Sequence, residues 1–251
     1  MSYAKLAFVY DLLMEDAPYD EWAAFAQSMF SGQNDNVRSI IDLGCGTGQI
    51  TKRLSKSGYK MTGIDNSEEM LSLAKHSAAE EQQNIEWFHA DLRKMKGFHS
   101  FDAAISFCDV INYITDEESL STVFGNINRT LKHHGLFLFD IHSLNHVEED
   151  LAGQTFAEIY EDISYVWLCQ PGAEAGEVYH DLTFFVLDKE DKYQRFDERH
   201  HQRTFPLAVY QRLLKEQGFE ISGVYGDFSV SPLTTEKAER IFLACKKIEE
   251  A

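Results

Sequence analysis

The sequence predicts an α/β protein with a doubly wound, mostly parallel sheet of seven strands and an inserted antiparallel β-sheet. Two observations lead to this prediction. Short apolar segments alternate with helical segments up to about residue 147 and again after residue 205, a pattern typical of parallel sheets covered by helices on both faces. Between these stretches, residues 155–204 hold alternating and aromatic-rich segments without a helical period, which favours antiparallel strands.

The strands are predicted from short apolar or alternating segments bounded by turn residues. Those of the main sheet are expected at 37–43, 59–64, 85–89, 101–107, 135–141, 219–227 and 240–246. Those of the insertion are expected at 155–160, 164–169, 177–187 and 193–205, with Pro171-Gly172 as one of the turns.

The helices are predicted from their start and stop residues. Residues 5–30 show helical spacing and precede a loop at 31–36, and Gly58 ends a helix that starts at Gln49. Ser67 can cap a helix to about residue 79, and residues 115–118 resemble a capping box. Pro206 suits the first turn of a helix that ends at Gly218.

The charge pattern argues against a nucleic-acid partner. The chain carries 23 Lys and Arg against 41 Asp and Glu, a formal net charge of −18. The 56 residues from His133 to Asp188 contain 11 acidic residues and no Lys or Arg, and phosphate binding needs local cations. No signal-peptide core and no run of roughly 18 apolar residues is present. We therefore expect a cytoplasmic protein that binds neither nucleic acid nor membrane.

A glycine-rich loop follows the first predicted strand. It reads DLGCGTG from Asp42, with glycines at Gly44, Gly46 and Gly48. Glycines let a ligand approach backbone amides, and the N-terminus of the following helix favours an anionic group. The spacing is one residue shorter than the dinucleotide pattern G-x-G-x-x-G. A glycine loop alone also suits a simple turn or an NAD site, so the surrounding residues must discriminate.

Three carboxylates follow or end successive predicted strands. Asp42 precedes the glycines, Asp65 ends the second strand, and Asp91 follows the third. Asp42 would repel a pyrophosphate but would attract an amino group. Together the three acids suit an ammonium, a ribose diol and an adenine amine, all of which S-adenosyl-L-methionine carries.

On these residues the chain resembles the class I S-adenosylmethionine-dependent methyltransferases. The resemblance rests on residues 42–48, on Gly63-Ile64-Asp65-Asn66-Ser67, on Ala90-Asp91-Leu92, and on the segments at 101–109 and 135–137. It covers about residues 35–145 and 205–247, and it implies a Rossmann-like fold. The insertion and the N-terminal aromatic residues resemble the branch of small-molecule, sugar-amine N-methyltransferases.

The resemblance implies a set of cofactor-binding residues and a division of the chain. Residues 1–149 and 205–251 would form the cofactor-binding domain, with 1–35 as a helical lid and 150–204 as a β insertion over the substrate site. The residues expected at the cofactor are Tyr10, Trp22, Asp42, Gly44, Cys45, Gly46, Gly48, Asp65, Asn66, Met70, Ala90, Asp91, Leu92, Phe107, Cys108 and Asp109.

Candidates for the reaction itself follow the fourth and fifth strands. Tyr113 could steer or deprotonate an acceptor, or could be an aromatic core residue; Asn112 beside it is a substrate candidate. His142 is the other catalytic candidate. Its spacing to His146 could hold a metal on a helix, but no HExxH-like glutamate accompanies the pair, so no metal is predicted. Related sugar-amine enzymes tend to carry a histidine where this chain has Tyr113, which leaves the amino-sugar substrate open.

The last insertion strand has two alternating polar faces. Glu198, His200 and Gln202 share one, and His201 and Arg203 belong to the other. We expect His201 or Arg203 to face the cleft as substrate residues, because a cationic face would offset the acids at 109 and 140. A polar solvent face is the alternative. Exposed strand edges could also pair two subunits, so the chain could be a monomer or a homodimer through the insertion.

The predicted function is transfer of a methyl group from S-adenosylmethionine to nitrogen or oxygen of a small-molecule acceptor. The alternatives are an RNA or protein methyltransferase and a non-enzymatic S-adenosylmethionine-binding protein. The segment from Asp109 to Tyr113 lacks the Asn/Asp-Pro-Pro-Tyr signature of amino-group methylation on bases or glutamine. A scaffold that only binds would have no need of an intact glycine loop with all its acids.

Overall fold

The structure is a computed structural model that describes residues 10, 14, 16–32, 37–188, 190–234 and 237–248. Residues 1–9, 11–13 and 15 of the predicted N-terminal lid, and the loop residues 33–36, lie outside the described residues. Within the described part of the chain, no helix is long and apolar enough to cross a membrane.

The main sheet has seven strands, as predicted. The bounds are β1 Ser39–Leu43, β2 Lys60–Asp65, β3 Glu86–His89, β4 Phe101–Ser106, β5 Leu131–His142, β10 Phe219–Gly226 and β11 Arg240–Lys247. Their order is β10-β11-β5-β4-β1-β2-β3. Among the described strands of this sheet, β11 is antiparallel to both of its neighbours, β10 and β5, and the remaining pairs are parallel. The predicted mostly parallel, Rossmann-like sheet is therefore confirmed.

Five α-helices accompany the main sheet in the described residues. They are α1 Tyr19–Ser31, α2 Gln49–Lys56, α3 Glu68–Glu80, α4 Glu117–Thr130 and α5 Leu207–Glu216, with short 3₁₀ turns at Leu92–Lys94 and Val110–Tyr113 and a π turn at His146–Leu151. The Ser67 hydroxyl accepts a hydrogen bond from the Met70 amide and caps α3, and the Asp116 carboxylate caps α4 in the same way.

Two apolar layers enclose the main sheet. On β5, Phe137 and Phe139 pack into the layer that contains α4 and α5, whereas Leu136 and Leu138 pack into the layer that contains α1. This division follows from the two-residue period of a strand, which sends neighbouring side chains to opposite faces. Strand β5 starts at residue 131, four residues earlier than predicted, because Leu131 pairs with Phe101 ahead of a register shift.

The insertion lies in the chain between β5 and α5 and forms a separate antiparallel sheet. Its strands are β6 Thr155–Ile159, β7 Ile163–Pro171, β8 Glu177–Leu187 and β9 Tyr193–Arg203, hydrogen-bonded in that order. The predicted antiparallel sheet is confirmed. Its inner residues Ile163 and Phe184 pack with Met70 at the start of α3, so the insertion rests on the main sheet's helical layer.

Candidate active site

A cavity of about 710 Å³ lies at the carboxyl ends of the parallel strands, with β7, β8 and β9 of the insertion on its far side. Open α/β sheets bind ligands at this edge, where strand order reverses between β1 and β4. The volume of the cavity falls in the range of roughly 300–1,000 Å³ that is typical of small-molecule pockets. Most residues predicted at the cofactor line it: Tyr10, Asp42, Gly44, Cys45, Gly46, Asp65, Asn66, Met70, Ala90, Asp91, Leu92, Phe107, Cys108 and Asp109.

The glycine loop turns sharply between β1 and α2. Gly44, Gly46 and Gly48 all have positive φ, at 79°, 54° and 77°, a region that favours glycine. A Cβ on Gly44 would lie 2.4 Å from a methyl of Val110, and one on Gly48 would lie 2.5 Å from the Trp87 ring. At Gly46 a Cβ would meet nothing within 4 Å. Gly48, predicted at the cofactor, does not line the cavity; it allows the loop to pack against Trp87.

Asp65 fixes the loop from the neighbouring strand. One carboxylate oxygen accepts from the Gly46 amide at 2.8 Å, and the other accepts from the Ser67 amide at 2.8 Å. Burial raises the pKa of Asp65, and these amide donors oppose the shift. Each carboxylate oxygen has two lone pairs, so Asp65 can hold the loop and still accept from a bound hydroxyl group.

Asp42 is buried at the end of β1 and faces the same cavity. The Thr51 hydroxyl donates to its carboxylate at 2.5 Å. Burial raises the pKa of Asp42 to about 7, although the Thr51 hydrogen bond works against the shift. A cation bound beside Asp42 would favour its ionised form.

Asp91 lies beyond β3 and is engaged by Arg93. The guanidinium holds both carboxylate oxygens, with contacts of 2.9 Å from Nε to Oδ1 and 2.8 Å from Nη2 to Oδ2. Hydrogen bonding from Arg93 lowers the pKa of Asp91, so the side chain is ionised at neutral pH. Arg93 also lines the cavity, a position that was not predicted from the sequence.

A compact ion cluster lies behind the ends of β4 and β5. Arg240 Nη1 contacts Asp109 Oδ1 at 3.0 Å and also pairs with Asp140, which accepts a hydrogen bond from the Trp22 indole at 3.1 Å. Burial alone would raise the pKa of Asp109, but His142, which is protonated at the acidic pH where Asp109 titrates, and Arg240 outweigh it and hold the pKa well below its usual range. Trp22 was expected at the cofactor; it does not line the cavity, because it packs behind Asp140 and against Phe228.

The two predicted catalytic residues, Tyr113 and His142, both line the cavity. His142 Nε2 lies 3.5 Å from Asp109 Oδ1. Burial lowers the pKa of His142 and outweighs the opposing effect of the Asp109 carboxylate, so the imidazole is neutral at neutral pH. The Tyr113 hydroxyl lies 3.2 Å from His200 Nδ1 on β9. The cavity therefore holds a neutral imidazole and a phenol, which can accept or donate protons.

Asn112, predicted to contact substrate, has a different position. It is 1% exposed and does not line the cavity. Its amide nitrogen donates to the Arg203 carbonyl at 3.1 Å, and its amide oxygen accepts from the His142 backbone N–H at 3.0 Å. Asn112 therefore ties the last residue of β9 to the last residue of β5, which are the two chain connections that flank the insertion.

The prediction that His201 or Arg203 faces the cleft is wrong. His201 Nε2 contacts Glu177 Oε1 at 2.7 Å, and Arg203 Nη2 contacts a carboxylate oxygen of Glu174 at 3.3 Å, both on the other face of β9. His200 and Gln202 line the cavity instead. The buried acids behind the cleft already have a counter-ion in Arg240, which is remote in sequence.

Comparisons with known proteins agree with this geometry. The methyltransferase domain family matches residues 40–135. The chain is 40% identical to the Bacillus subtilis protein named putative methyltransferase YqeM, over 98% of each chain. The crystal structure of an S-adenosylmethionine-dependent methyltransferase from Clostridium acetobutylicum is similar with a TM-score of 0.88 and 29% identity, over 98% of this chain and 99% of that one. A sugar N-methyltransferase from Streptoalloteichus shares the fold, with a TM-score of 0.77, 19% identity and coverage of 96% and 93%.

Proposed function

The chain belongs to the family of S-adenosylmethionine-dependent methyltransferases, and we propose that it methylates a nitrogen or oxygen atom of a small molecule. The predicted family and enzyme class (EC 2.1.1.-) are confirmed by the relatives, and the predicted methyl donor, S-adenosyl-L-methionine, is confirmed by the family match and the similar Clostridium acetobutylicum structure. The acceptor is the part that the proposal adds. The observation that carries it is the continuity of the cavity from the glycine loop to the insertion strands.

The residues of the loop side fit the donor. Asp42 presents a buried carboxylate to an ammonium group, and Asp65 can accept from ribose hydroxyls. Asn66, Met70 and the segment from Ala90 to Leu92 provide a polar and apolar recess for adenine. When bound, the donor supplies a sulfonium methyl group, so the acceptor's lone pair forms the new bond to carbon as the carbon–sulfur bond breaks.

The far side of the cavity suits a small acceptor. Strands β7 and β8 contribute Tyr165, Trp167, Leu182 and Phe184 to its lining, and these largely apolar side chains would exclude water from a bound acceptor. An acceptor held there against the donor needs little further chemistry, because correct placement supplies much of the rate. We propose on this basis that residues 150–204 act as the roof of the substrate site. The net charge of −18 disfavours an RNA acceptor.

His142 is the proposed proton acceptor. It is neutral, so it can take a proton from an acceptor hydroxyl or ammonium, and the nearby Asp109 carboxylate would stabilise the imidazolium that results. Tyr113 and His200, which contact each other and line the same cavity, would orient the acceptor. Both the removal of the acceptor's proton and the transfer of the methyl group to the acceptor would thus take place on the side of the cavity that the insertion covers.

The experiment is a labelling survey. The protein is incubated with S-adenosylmethionine carrying a tritiated methyl group and with a cell extract divided into dialysable molecules, protein and RNA. We expect label in the dialysable fraction, and we expect a His142→Ala variant to transfer much less. Label in the RNA or protein fraction would replace the small-molecule proposal with one of the alternatives, and no transfer at all would favour a protein that only binds.

A further inference from the structure

We propose that Gln202 and His180, both supplied by the insertion, are positioning residues that hold Asp109 beside His142. The inference rests on the proposed role of His142 as proton acceptor. Neither residue was predicted from the sequence to contact substrate or cofactor, and they lie on adjacent strands, β9 and β8. His180 is 6% exposed and Gln202 is 4% exposed, so both are buried polar groups that must find partners inside the protein.

The partners form one continuous chain of hydrogen bonds from the roof to the cleft. The Trp167 indole donates to His180 Nδ1 at 3.0 Å. His180 Nε2 lies 3.1 Å from Gln202 Oε1, and Gln202 Nε2 donates to Asp109 Oδ2 at 2.8 Å. Gln202 and Asp109 are 93 residues apart in sequence, so this contact joins the insertion to the loop after β4.

The chemistry of the groups allows one direction of donation along this chain. An indole N–H can only donate, so His180 Nδ1 must be the unprotonated nitrogen. His180 Nε2 then carries the hydrogen and donates to Gln202 Oε1. The amide nitrogen of Gln202 is left to donate to Asp109, whose ionised carboxylate can only accept. A neutral His180 with its hydrogen on Nε2 satisfies every member of the chain.

Asp109 needs such support because of its own backbone. Cys108 and Asp109 are consecutive non-glycine residues with φ of 61° and 51°, in the left-handed region that side chains disfavour. Strain of this kind persists where surrounding contacts hold the residue in place. Gln202 binds Oδ2, while Oδ1 faces Arg240 and His142.

The consequence is a coupling between the roof and the proposed base. When the insertion is docked, Gln202 fixes which carboxylate oxygen of Asp109 faces His142. The other charged or titratable groups near that imidazole are Arg240, His146 and His180. Loss of the Gln202 link should therefore alter the titration of His142 without removing any group that contacts the donor.

The test uses nitrogen NMR of the histidine side chains in the full chain. Long-range ¹H–¹⁵N spectra report which ring nitrogen carries the hydrogen. We expect His180 of the wild-type protein to be neutral at pH 7, with its hydrogen on Nε2. An imidazolium, or a hydrogen on Nδ1, would overturn the inference without need of any variant.

Two substitutions then separate the links of the chain. Gln202→Glu keeps an oxygen for His180 but replaces the donor to Asp109 with a second carboxylate, so His180 should keep its tautomer while the pKa of His142 rises by about one unit, a tenfold change in proton affinity. Gln202→Leu removes the link to Asp109, so the pKa of His142 should differ from its wild-type value, while His180 should keep its hydrogen on Nε2 because the Trp167 indole still donates to Nδ1. Gln194→Leu is the matched control, because Gln194 lies on β9, is exposed and binds Asp188 far from the cleft.

The labelling assay adds a functional readout. Methyl transfer from tritiated S-adenosylmethionine to dialysable molecules should fall at least about tenfold in Gln202→Leu and stay unchanged in Gln194→Leu. Wild-type values of both the His142 titration and methyl transfer in both Gln202 variants would refute the positioning role. If the wild-type protein transfers no methyl group, the proposed function fails, and the NMR results still decide whether the chain of hydrogen bonds exists.

Discussion

Replacing Asn112 with alanine should destabilise the protein by about 2–6 kcal/mol. The side chain is buried and makes two hydrogen bonds to backbone groups, one to the Arg203 carbonyl and one from the His142 N–H. Alanine leaves both backbone groups without this partner, and each buried unsatisfied group costs about 1–3 kcal/mol. Since typical domains are stable by only about 5–15 kcal/mol, the loss is large.

Urea unfolding followed by tryptophan fluorescence measures this cost. We expect a lower transition midpoint with an unchanged slope, because the substitution alters stability and not the surface exposed on unfolding. Asn112→Asp keeps the acceptor for His142 but sets a carboxylate against the Arg203 carbonyl, so it should also destabilise. The exposed Asn84→Ala is the control and should change little. A loss below about 0.5 kcal/mol for Asn112→Ala would refute the two-hydrogen-bond account.

Three further predictions concern ligands. Because burial raises the pKa of Asp42 to about 7 and a bound ammonium favours its ionised form, calorimetry should find S-adenosylhomocysteine bound about tenfold more weakly at pH 6 than at pH 8. An Asp42→Asn variant should lose that pH dependence, and an equal affinity at both pH values in the wild-type protein would contradict the argument. Asp65→Ala should weaken the same binding by about 1–3 kcal/mol, since it removes the partner of Gly46 as well as an acceptor for ribose; unchanged affinity would remove Asp65 from the site. The net charge of −18 predicts negligible binding of tRNA at physiological salt, and submicromolar binding in a gel-shift assay would move RNA methylation to first place.

The fold was predictable because its signals are local. Apolar strands, caps such as Ser67, and the glycines of the loop each act over a few residues, and the structure places the predicted strands within a few residues of their expected ends. The carboxylates at the ends of successive strands came together for the same reason, since parallel strands bring their carboxyl ends to one edge. Asp42, Asp65 and Asp91 all line the cavity.

The acceptor side was less predictable because its contacts are remote in sequence. Alternation on β9 assigns Gln202 and Arg203 to opposite faces, but it cannot decide which face turns inward. The prediction turned the cationic face inward to offset the buried acids, but Arg240 already pairs with them. Arg240 lies 131 residues from Asp109 along the chain, so this contact could not be seen in the sequence. Trp22 and Asn112 were mistaken for ligand contacts because an aromatic ring or an amide near a cleft has the same sequence signal when its role is structural.

A crystal structure with S-adenosylhomocysteine tests the central claim, that one cavity serves both donor and acceptor. We predict that the ligand lies along the loop from Gly44 to Gly46, with its ribose hydroxyls at Asp65 and its sulfur turned toward the space between His142 and the insertion. A ligand bound away from the glycine loop, or one whose sulfur faces a wall with no open space toward His142 and β8, would contradict the account.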